Sequence, residues 1–517
     1  MDPLIAALLR PEAHRPVPER VELLETHISW ILLVGPLAYK IKKPVNLGFV
    51  DFSSQERRAW FCAEELRLNR RLAPDLYLEV VPIHGPPACA SLQGDGPVIE
   101  MALKMRRFPQ SALLPAALAC GAVPAAAFEA LAEALAAFHA GAAVAEASQP
   151  WGEPAAVVEP ALANLAVLER CGVDPHAVVA LRRWSEAEAQ CLLPLLRRRK
   201  RQGQVREGHG DLHMGNMVVL KGRIVVFDCL EFSPELRWID VVSDLAFAAM
   251  DLQHAGQEQA AGRLLARWLE RSGDYEGLAL WTWYRLYRAL VRAKVTALRL
   301  EQTRASAPPD PDRPGAQQLA SYLAYAQALI RPRRPTLVIT HGISGSGKSH
   351  WAAQLGQRAG WITLRSDAER KRRFGLWGES LSPVAAPSAG LYDPTVSRWL
   401  YEERLSRCAA AALAAGLDVV VDATFLKRRH RRLFAALALR CGARFALLVC
   451  DGDPERARHR VESRRRRGDD PSDADAAVIE RQLETLEPLS SEECSTTPVW
   501  PASDAGLEQL LRWVEAG

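Results

Sequence analysis

Hydrophobic and polar positions follow two periods along this chain, and the changes of period mark its organisation. Residues 27–34 form a β-branched and apolar run, and Gly35-Pro36 punctuates it. Residues 37–42 then alternate, with Leu37, Tyr39 and Ile41 on one face and Ala38, Lys40 and Lys42 on the other. A period of two predicts a half-buried strand leaving a hairpin. Residues 54–72 change to helical spacing, with Trp60, Phe61, Leu66 and Leu68 set among charges. Further strands are predicted at 77–83 and 98–105, helices dominate 124–201, and 218–220 with 224–227 predict a second hairpin around Lys221-Gly222-Arg223. Residues 241–300 read as helical, with Trp281, Trp283, Tyr284 and Tyr287 as core.

A different rhythm begins at residue 336. Short apolar strands at 336–340, 361–364, 418–421 and 445–450 alternate with helical stretches such as 349–358. That alternation predicts a parallel α/β sheet. Two punctuation marks precede it: the Pro- and Asp-rich 305–315, expected as an exposed loop, and Arg331-Pro332-Arg333-Arg334-Pro335. Proline removes backbone donors and biases the preceding residue away from helix, so a domain boundary is expected there. The predicted domains are 1–330 and 335–517, with a linker over about 302–334.

Composition narrows the picture. The 517 residues suffice for two large domains or several of about 150 residues. A net charge of +4 creates no global field that demands nucleic acid or a membrane. The 10 cysteines form no C-x-x-C pair or zinc spacing, which predicts reduced thiols in a cytoplasmic protein. Asp2 and the lack of a long apolar run in 1–14 argue against a signal peptide. No uninterrupted run of about 18 apolar residues exists, so no membrane span is expected.

The clearest chemical signal is Gly342-Ile343-Ser344-Gly345-Ser346-Gly347-Lys348-Ser349, set between a strand and a helix. Glycines let successive backbone N–H groups turn inward around phosphates, and the following helix N-terminus adds positive potential. Lys348 is expected to reach the β- and γ-phosphates and Ser349 to ligate magnesium. Asp422 ends an apolar run where a magnesium-holding acid would sit; a turn or capping aspartate is the alternative. Asp367 follows the preceding strand and is either a base for an acceptor hydroxyl or a helix cap. Arg456, Arg458, Arg460 and residues 464–467 form an arginine-rich helix, read as a solvated face, a transition-state lid, or a phosphate-binding patch. The absence of interleaved aromatics weakens base stacking and so nucleic-acid binding.

GISGSGKS, RSDAERKRRFG, VVVDATF and RHRVESRRRRGDDPSDAD together resemble the P-loop kinases of small molecules and polynucleotide ends, over residues 335–488. The resemblance implies that the pair Asp367 and Arg370 handles the phosphate acceptor and that Arg460 and Arg464 are lid arginines.

In the first part, His209-Gly210-Asp211-Leu212-His213-Met214-Gly215-Asn216 precedes a hairpin that ends at Asp228. An aspartate, an asparagine five positions on and a strand-terminal aspartate form a phosphotransferase arrangement. Asp211 would orient and deprotonate the acceptor hydroxyl, while Asn216 and Asp228 would hold magnesium, a hard cation suited to oxygen ligands. HGDLHMGN and VFDCLEF resemble the aminoglycoside phosphotransferase and choline kinase-like superfamily, relatives of protein kinases, over residues 21–300. That resemblance implies a strand lysine paired with a helical glutamate. Lys40 and Lys42 share a face; the Tyr39-Lys40 step favours Lys40, and Glu65 is its expected partner, with Glu56 and Glu64 as competitors. Glu231 is expected to touch a second metal or an acceptor, or to be an ordinary loop carboxylate.

The fold class expected is therefore α/β and α+β in two domains: an N-terminal protein-kinase-like (aminoglycoside phosphotransferase) fold and a C-terminal P-loop NTPase with a parallel sheet. The whole resembles a bacterial family of fused phosphotransferase/ATP-binding proteins. It implies ATP and Mg2+ in each domain and small-molecule acceptors, with a nucleic-acid end-processing kinase or a regulatory ATPase as alternatives.

Overall fold

The computed structural model describes the chain except residues 49, 95, 305–313, 378–392, 468–475 and 517, and except the side chains of 303, 304, 314, 464–467 and 476. After a short helix, Pro3–Leu8, come five antiparallel strands: β1 (Val21–Glu25), β2 (Ser29–Val34), β3 (Leu37–Lys42), β4 (Tyr77–His84) and β5 (Val98–Arg106), in the order β1-β2-β3-β5-β4. Val34 pairs with Leu37, leaving Gly35-Pro36 as a two-residue turn with Gly35 at φ 53°. That left-handed conformation suits glycine, and the turn's twist matches the flanking strands. The helix Gln55–Asn69 follows, its first turn closed by Ser54 Oγ, which accepts the N–H of Arg57 at 3.3 Å.

β3 is not half-buried as its alternation predicts. Ile41 packs in one apolar cluster and Ala38 in another, so both faces are covered. The lysine face is buried because its charges are paired.

Further along, β6 (Val205–Glu207) pairs with β9 (Trp238–Asp240), and β7 (Met217–Leu220) forms a hairpin with β8 (Arg223–Val226). Lys221 at φ 50° and Gly222 at φ 75° make the tight turn between β7 and β8.

The second sheet is wholly parallel: β10 (Thr336–His341), β11 (Ile362–Arg365), β12 (Val419–Asp422), β13 (Arg444–Val449) and β14 (Val499–Pro501), in the order β11-β12-β10-β13-β14. Every residue of β10 is buried. Val338, Val420 and Leu448 are fully buried in one core, each contributing about 1.5–3 kcal/mol. Parallel sheets present ligand sites at the carboxyl ends of their strands. The Gly342 loop, Arg365 and Asp422 all lie at those ends.

The chain divides into two compact units, Met1–Glu159 with Leu193–Ala248, and Pro160–Leu192 with Ala249–Gly517. Within the stretch expected as a linker over about 302–334, the described residues include a helix, Pro314–Leu329. It buries Tyr322, Leu323 and Ala326, whose helical spacing gives it an apolar stripe. The predicted loop at 305–315 falls mostly outside the described residues. Trp281, Trp283 and Tyr284 are buried, as core residues should be, whereas Tyr287, also expected as core, is only half-buried. No helix among the described residues is long and apolar enough to cross a membrane.

Candidate active sites

In the first unit, β3 aims two lysines at the helix Gln55–Asn69. Lys40 Nζ lies 2.7 Å from Glu65 Oε1 and 2.8 Å from Asp228 Oδ1. Lys42 Nζ lies 2.7 Å from the other Glu65 oxygen and forms a second ion pair with Glu231. Burial works against the charge on both lysines, but the carboxylates of Asp228, Glu65 and Glu231 outweigh it and hold them strongly protonated. Glu65 is likewise opposed by burial, yet Lys40 and Lys42 bring its carboxyl down to about 2. Burial pushes the Glu231 carboxyl up. Glu64, a competitor of Glu65 in the sequence, is instead engaged by Arg67 and Arg237.

Asp228 sits at φ 63°, off the end of the β8 hairpin, and its N–H donates to Tyr77 Oη at 3.1 Å. Asn69 fixes the next residue, accepting the N–H of Cys229 at 2.8 Å while donating to the Glu65 carbonyl at 2.9 Å. One asparagine therefore ties the glutamate helix to the aspartate loop. Asn216 Nδ2 donates to Asp211 Oδ2 at 3.0 Å, and its carbonyl accepts the N–H of Phe227, next to Asp228. His213 Nε2 lies 3.3 Å from Asp211 Oδ2.

Lys40, Asp228 and Glu231 line a cavity of about 410 Å³ whose walls also include Ile31, Ala38, Tyr77, Met105 and Phe227. A mostly apolar cavity with a few convergent charged groups has the character of a small-molecule site. Asp211 and Asn216 do not line it; they are joined to it through the pairing of Asn216 with Phe227.

Asp244 carries this loop and has no signature in the sequence. Its buried carboxylate accepts the N–H groups of His209 and Gly210 at 2.6 and 2.9 Å. His209 Nε2 donates to the Phe227 carbonyl at 3.0 Å and its Nδ1 accepts the N–H of Asp211 at 3.3 Å. Burial lowers the pKa of His209, which keeps the ring in the neutral form this pairing needs.

In the second unit, the loop after β10 takes left-handed conformations at Gly342 (φ 144°), Gly345 (φ 81°) and Gly347 (φ 100°). A Cβ at Gly342 would lie 2.5 Å from the Cys450 carbonyl oxygen, and one at Gly345 would lie 2.5 Å from that of Ala457. These glycines are required by close backbone approach as well as by φ. Lys348 Nζ folds across the loop to the Ile343 carbonyl at 2.5 Å. Ser344 N–H donates to Gln482 Oε1 at 2.7 Å and its hydroxyl accepts from Gln482 Nε2 at 3.1 Å, an anchor absent from the sequence reading. Ser346 turns inward and stays outside the cavity lining.

A cavity of about 500 Å³ brings together Ser344, Gly345, Gly347, Lys348, Ser349, Asp367, Arg370, Asp422 and Arg460. Asp367 and Arg370 pair at 2.5 Å within the helix Ser366–Arg373. Burial raises the Asp422 carboxyl, against Arg365, Lys348 and a hydrogen bond from Ser349. Arg460 Nη1 reaches the Gly345 carbonyl at 3.4 Å. The Arg464 side chain lies outside the described residues. Arg456 and Arg458 pair with Asp453 and Glu480, at 3.8 and 2.7 Å, and do not line the cavity. Tyr401 and His430, which also line the cavity, stack at 4.3 Å, and burial lowers that imidazole to about 4, so it is neutral at physiological pH.

Both sites carry oxygen donors of the kind magnesium requires: Asn216 and Asp228 in one, Ser349 and Asp422 in the other. The hydrogen bond between Ser349 and the buried Asp422 already sets a hydroxyl and a carboxylate side by side, so this donor set fits the ion.

Residues 49–281 match the Phosphotransferase enzyme family and residues 337–489 match the AAA domain family. Proteins of Mycobacterium tuberculosis and Mycobacterium bovis, each described as uncharacterized, are 31% identical over 408 residues, which is 78% of this chain and 78% of theirs. Among solved structures, a choline/ethanolamine kinase family protein from Mesorhizobium loti is 15% identical, covering 64% of this chain and 95% of that one with a TM-score of 0.38. A sugar kinase from Janibacter sp. is 24% identical, covering 36% of this chain and 95% of that one with a TM-score of 0.27.

Proposed function

We propose that this chain, which belongs to one family with those mycobacterial proteins and joins a Phosphotransferase enzyme family domain to an AAA-type P-loop domain, is a bifunctional ATP-dependent phosphotransferase. Each domain transfers the ATP γ-phosphate to the hydroxyl of a small molecule. The functional division falls at the proline-rich 331–335, with residues 1–330 forming one domain and 335–517 the other.

The observation that carries this reading is a repeated pairing. A cation lining a cavity is accompanied by a carboxylate suited to act as base: Lys348 and Asp367 line one cavity, and Lys40 lines the other, with Asp211 joined to it through Asn216 and Phe227. A protein that only bound nucleotide would have no use for the second member of each pair. In the first domain Lys40, held by Glu65, meets the phosphates, Asn216 and Asp228 hold magnesium, and Asp211 takes the proton of the acceptor hydroxyl. In the second, the backbone of 342–349 and Lys348 cradle the phosphates, Ser349 and Asp422 hold magnesium, and Asp367 with Arg370 receives the acceptor. Arg460 and Arg464 serve as lid arginines. Magnesium, when bound, neutralises charge that builds on the phosphate oxygens. Arg456 and Arg458 have carboxylate neighbours of their own, which favours a solvated face over a nucleic-acid track.

The test is to incubate the protein with ATP and a metabolite extract and to search for phosphorylated products by mass spectrometry. Asp211→Asn and Lys348→Ala should each remove a different product. If both variants leave every product in place, the reading is wrong.

A further inference from the structure

Strand β11 is an edge of the parallel sheet, and the helix Glu258–Ser272 packs against it. That helix lies within the stretch 49–281 that matches the Phosphotransferase enzyme family, yet it shares the second compact unit with the P-loop. An uncovered edge strand invites pairing with other chains, and a covering helix removes that hazard. The approach is close. A Cβ on Gly262 would lie 2.4 Å from the Gly360 carbonyl oxygen, and Gln259 and Arg263 each donate at 2.9 Å to the carbonyls of Arg358 and Gln357.

At the helix C-terminus, the last carbonyls lack intrahelical donors. Side chains beside the P-loop cavity supply them. Arg372 donates to the carbonyls of Glu270 and Arg271 at 2.5 and 3.1 Å, Trp377 Nε1 donates to Glu270 at 2.8 Å, and Arg404 donates to Gly273 at 3.0 Å. Positive charge here is also favoured by the helix dipole. Arg372 belongs to the short helix Ser366–Arg373 that carries Asp367 and Arg370, so the acceptor side of the cavity is anchored from residues 270–273.

The Glu270 side chain extends this contact toward the metal-binding acid. It is 8% exposed; its Oε2 accepts from Arg267 at 2.6 Å, and its Oε1 lies 3.7 Å from Arg365 Nη1 with no hydrogen-bond partner. Arg365 Nε in turn lies 3.6 Å from Asp422 Oδ2. One guanidinium thus lies within ion-pair distance of both Glu270 and Asp422.

We propose that Glu270 is a positioning residue of the P-loop site, drawing Arg365 away from Asp422 so that this carboxylate stays available to magnesium. The inference rests on the reading of that site as a magnesium–nucleotide site. A guanidinium and a divalent cation compete for the same carboxylate oxygens. With the two ion-pair distances nearly equal, removing the charge on Glu270 shifts Arg365 toward Asp422. The P-loop site is therefore completed by a helix from the preceding phosphotransferase-family stretch.

The test uses the full chain in an Asp228→Asn background, which silences the first site, and titrates Mg2+ against ADP binding by calorimetry. Glu270→Gln should raise the Mg2+ concentration for half-maximal binding about fivefold, a typical coupling between linked sites. Glu270→Asp, which keeps the charge, should stay near the parent. ADP affinity at saturating Mg2+ should be the same in all three. A Glu270→Gln midpoint within twofold of the parent, or an equal shift in Glu270→Asp, overturns the proposal. If the parent binds no ADP, or Lys348→Ala leaves its binding intact, the P-loop reading itself fails.

Discussion

The buried carboxylate of Asp244 accepts the backbone N–H of His209 at 2.6 Å, and this bond holds the loop that presents Asp211. Burial pushes the Asp244 carboxyl up, but the His139 ring 3.6 Å away and His209 outweigh it and bring it to about 2, from an ordinary 3.8. Asparagine keeps one acceptor but turns an N–H2 group toward N–H donors. Asp244→Asn should lower unfolding free energy by about 2–4 kcal/mol, read from the urea midpoint at pH 7. The native state binds this proton less readily than the unfolded chain does. The stabilisation is complete above pH about 4 and is lost as pH falls toward 2, so the gap between wild type and variant should narrow by about 2 kcal/mol over that interval.

Lys40 and Lys42 share Glu65 but differ in setting: their side chains are 13% and 1% exposed. Lys42→Met leaves Glu231 and one Glu65 oxygen buried without a countercharge and should cost about 3–5 kcal/mol of stability. Lys40→Met leaves Glu65 neutralised by Lys42, and Asp228 is 43% exposed to water. Its main effect should fall on nucleotide affinity. Thermal melts with and without Mg-ADP separate the two, and a larger stability loss for Lys40→Met would contradict this assignment.

Gly345 and Gly347 both hold positive φ, but their surroundings differ. A Cβ at Gly345 would meet the Ala457 carbonyl oxygen at 2.5 Å, whereas the nearest atom to one at Gly347 is 3.8 Å away. Each alanine strains its own backbone by about 1–2 kcal/mol. Only Gly345→Ala must also displace the helix Pro454–Arg467. It should weaken Mg-ADP binding at the P-loop about tenfold more than Gly347→Ala does, a further 1.4 kcal/mol or so by calorimetry.

What the sequence displayed was local. The eight residues from Gly342 to Ser349 and the eight from His209 to Asn216 carry their chemistry in adjacent positions. Strand β2 and strands β10 to β13 announce themselves by short apolar runs, and β3 by its alternation. β1, Val21–Glu25, was missed because VELLE has helix-forming residues and no strict alternation. β14 is only three residues long and ends in Pro501. Asp244, Gln482 and Glu270 were not legible, since each acts across a separation of tens of residues or more on a backbone group or a charge that no spacing rule links to it. Glu231 was readable as a carboxylate near Asp228, but only the fold shows that its partner is Lys42. The boundary near residue 331 was drawn from prolines, which report local stiffness and say nothing of the helix that packs on β11.

The central claim is that magnesium–nucleotide docks at two independent places on one chain. Calorimetric titration of the full-length protein with Mg-ADP tests it most directly. Two ADP per chain are expected for wild type, one for Lys348→Ala, one for Asp228→Asn and none for the double variant. A single ADP per wild-type chain, or a stoichiometry that neither substitution reduces, would contradict the account.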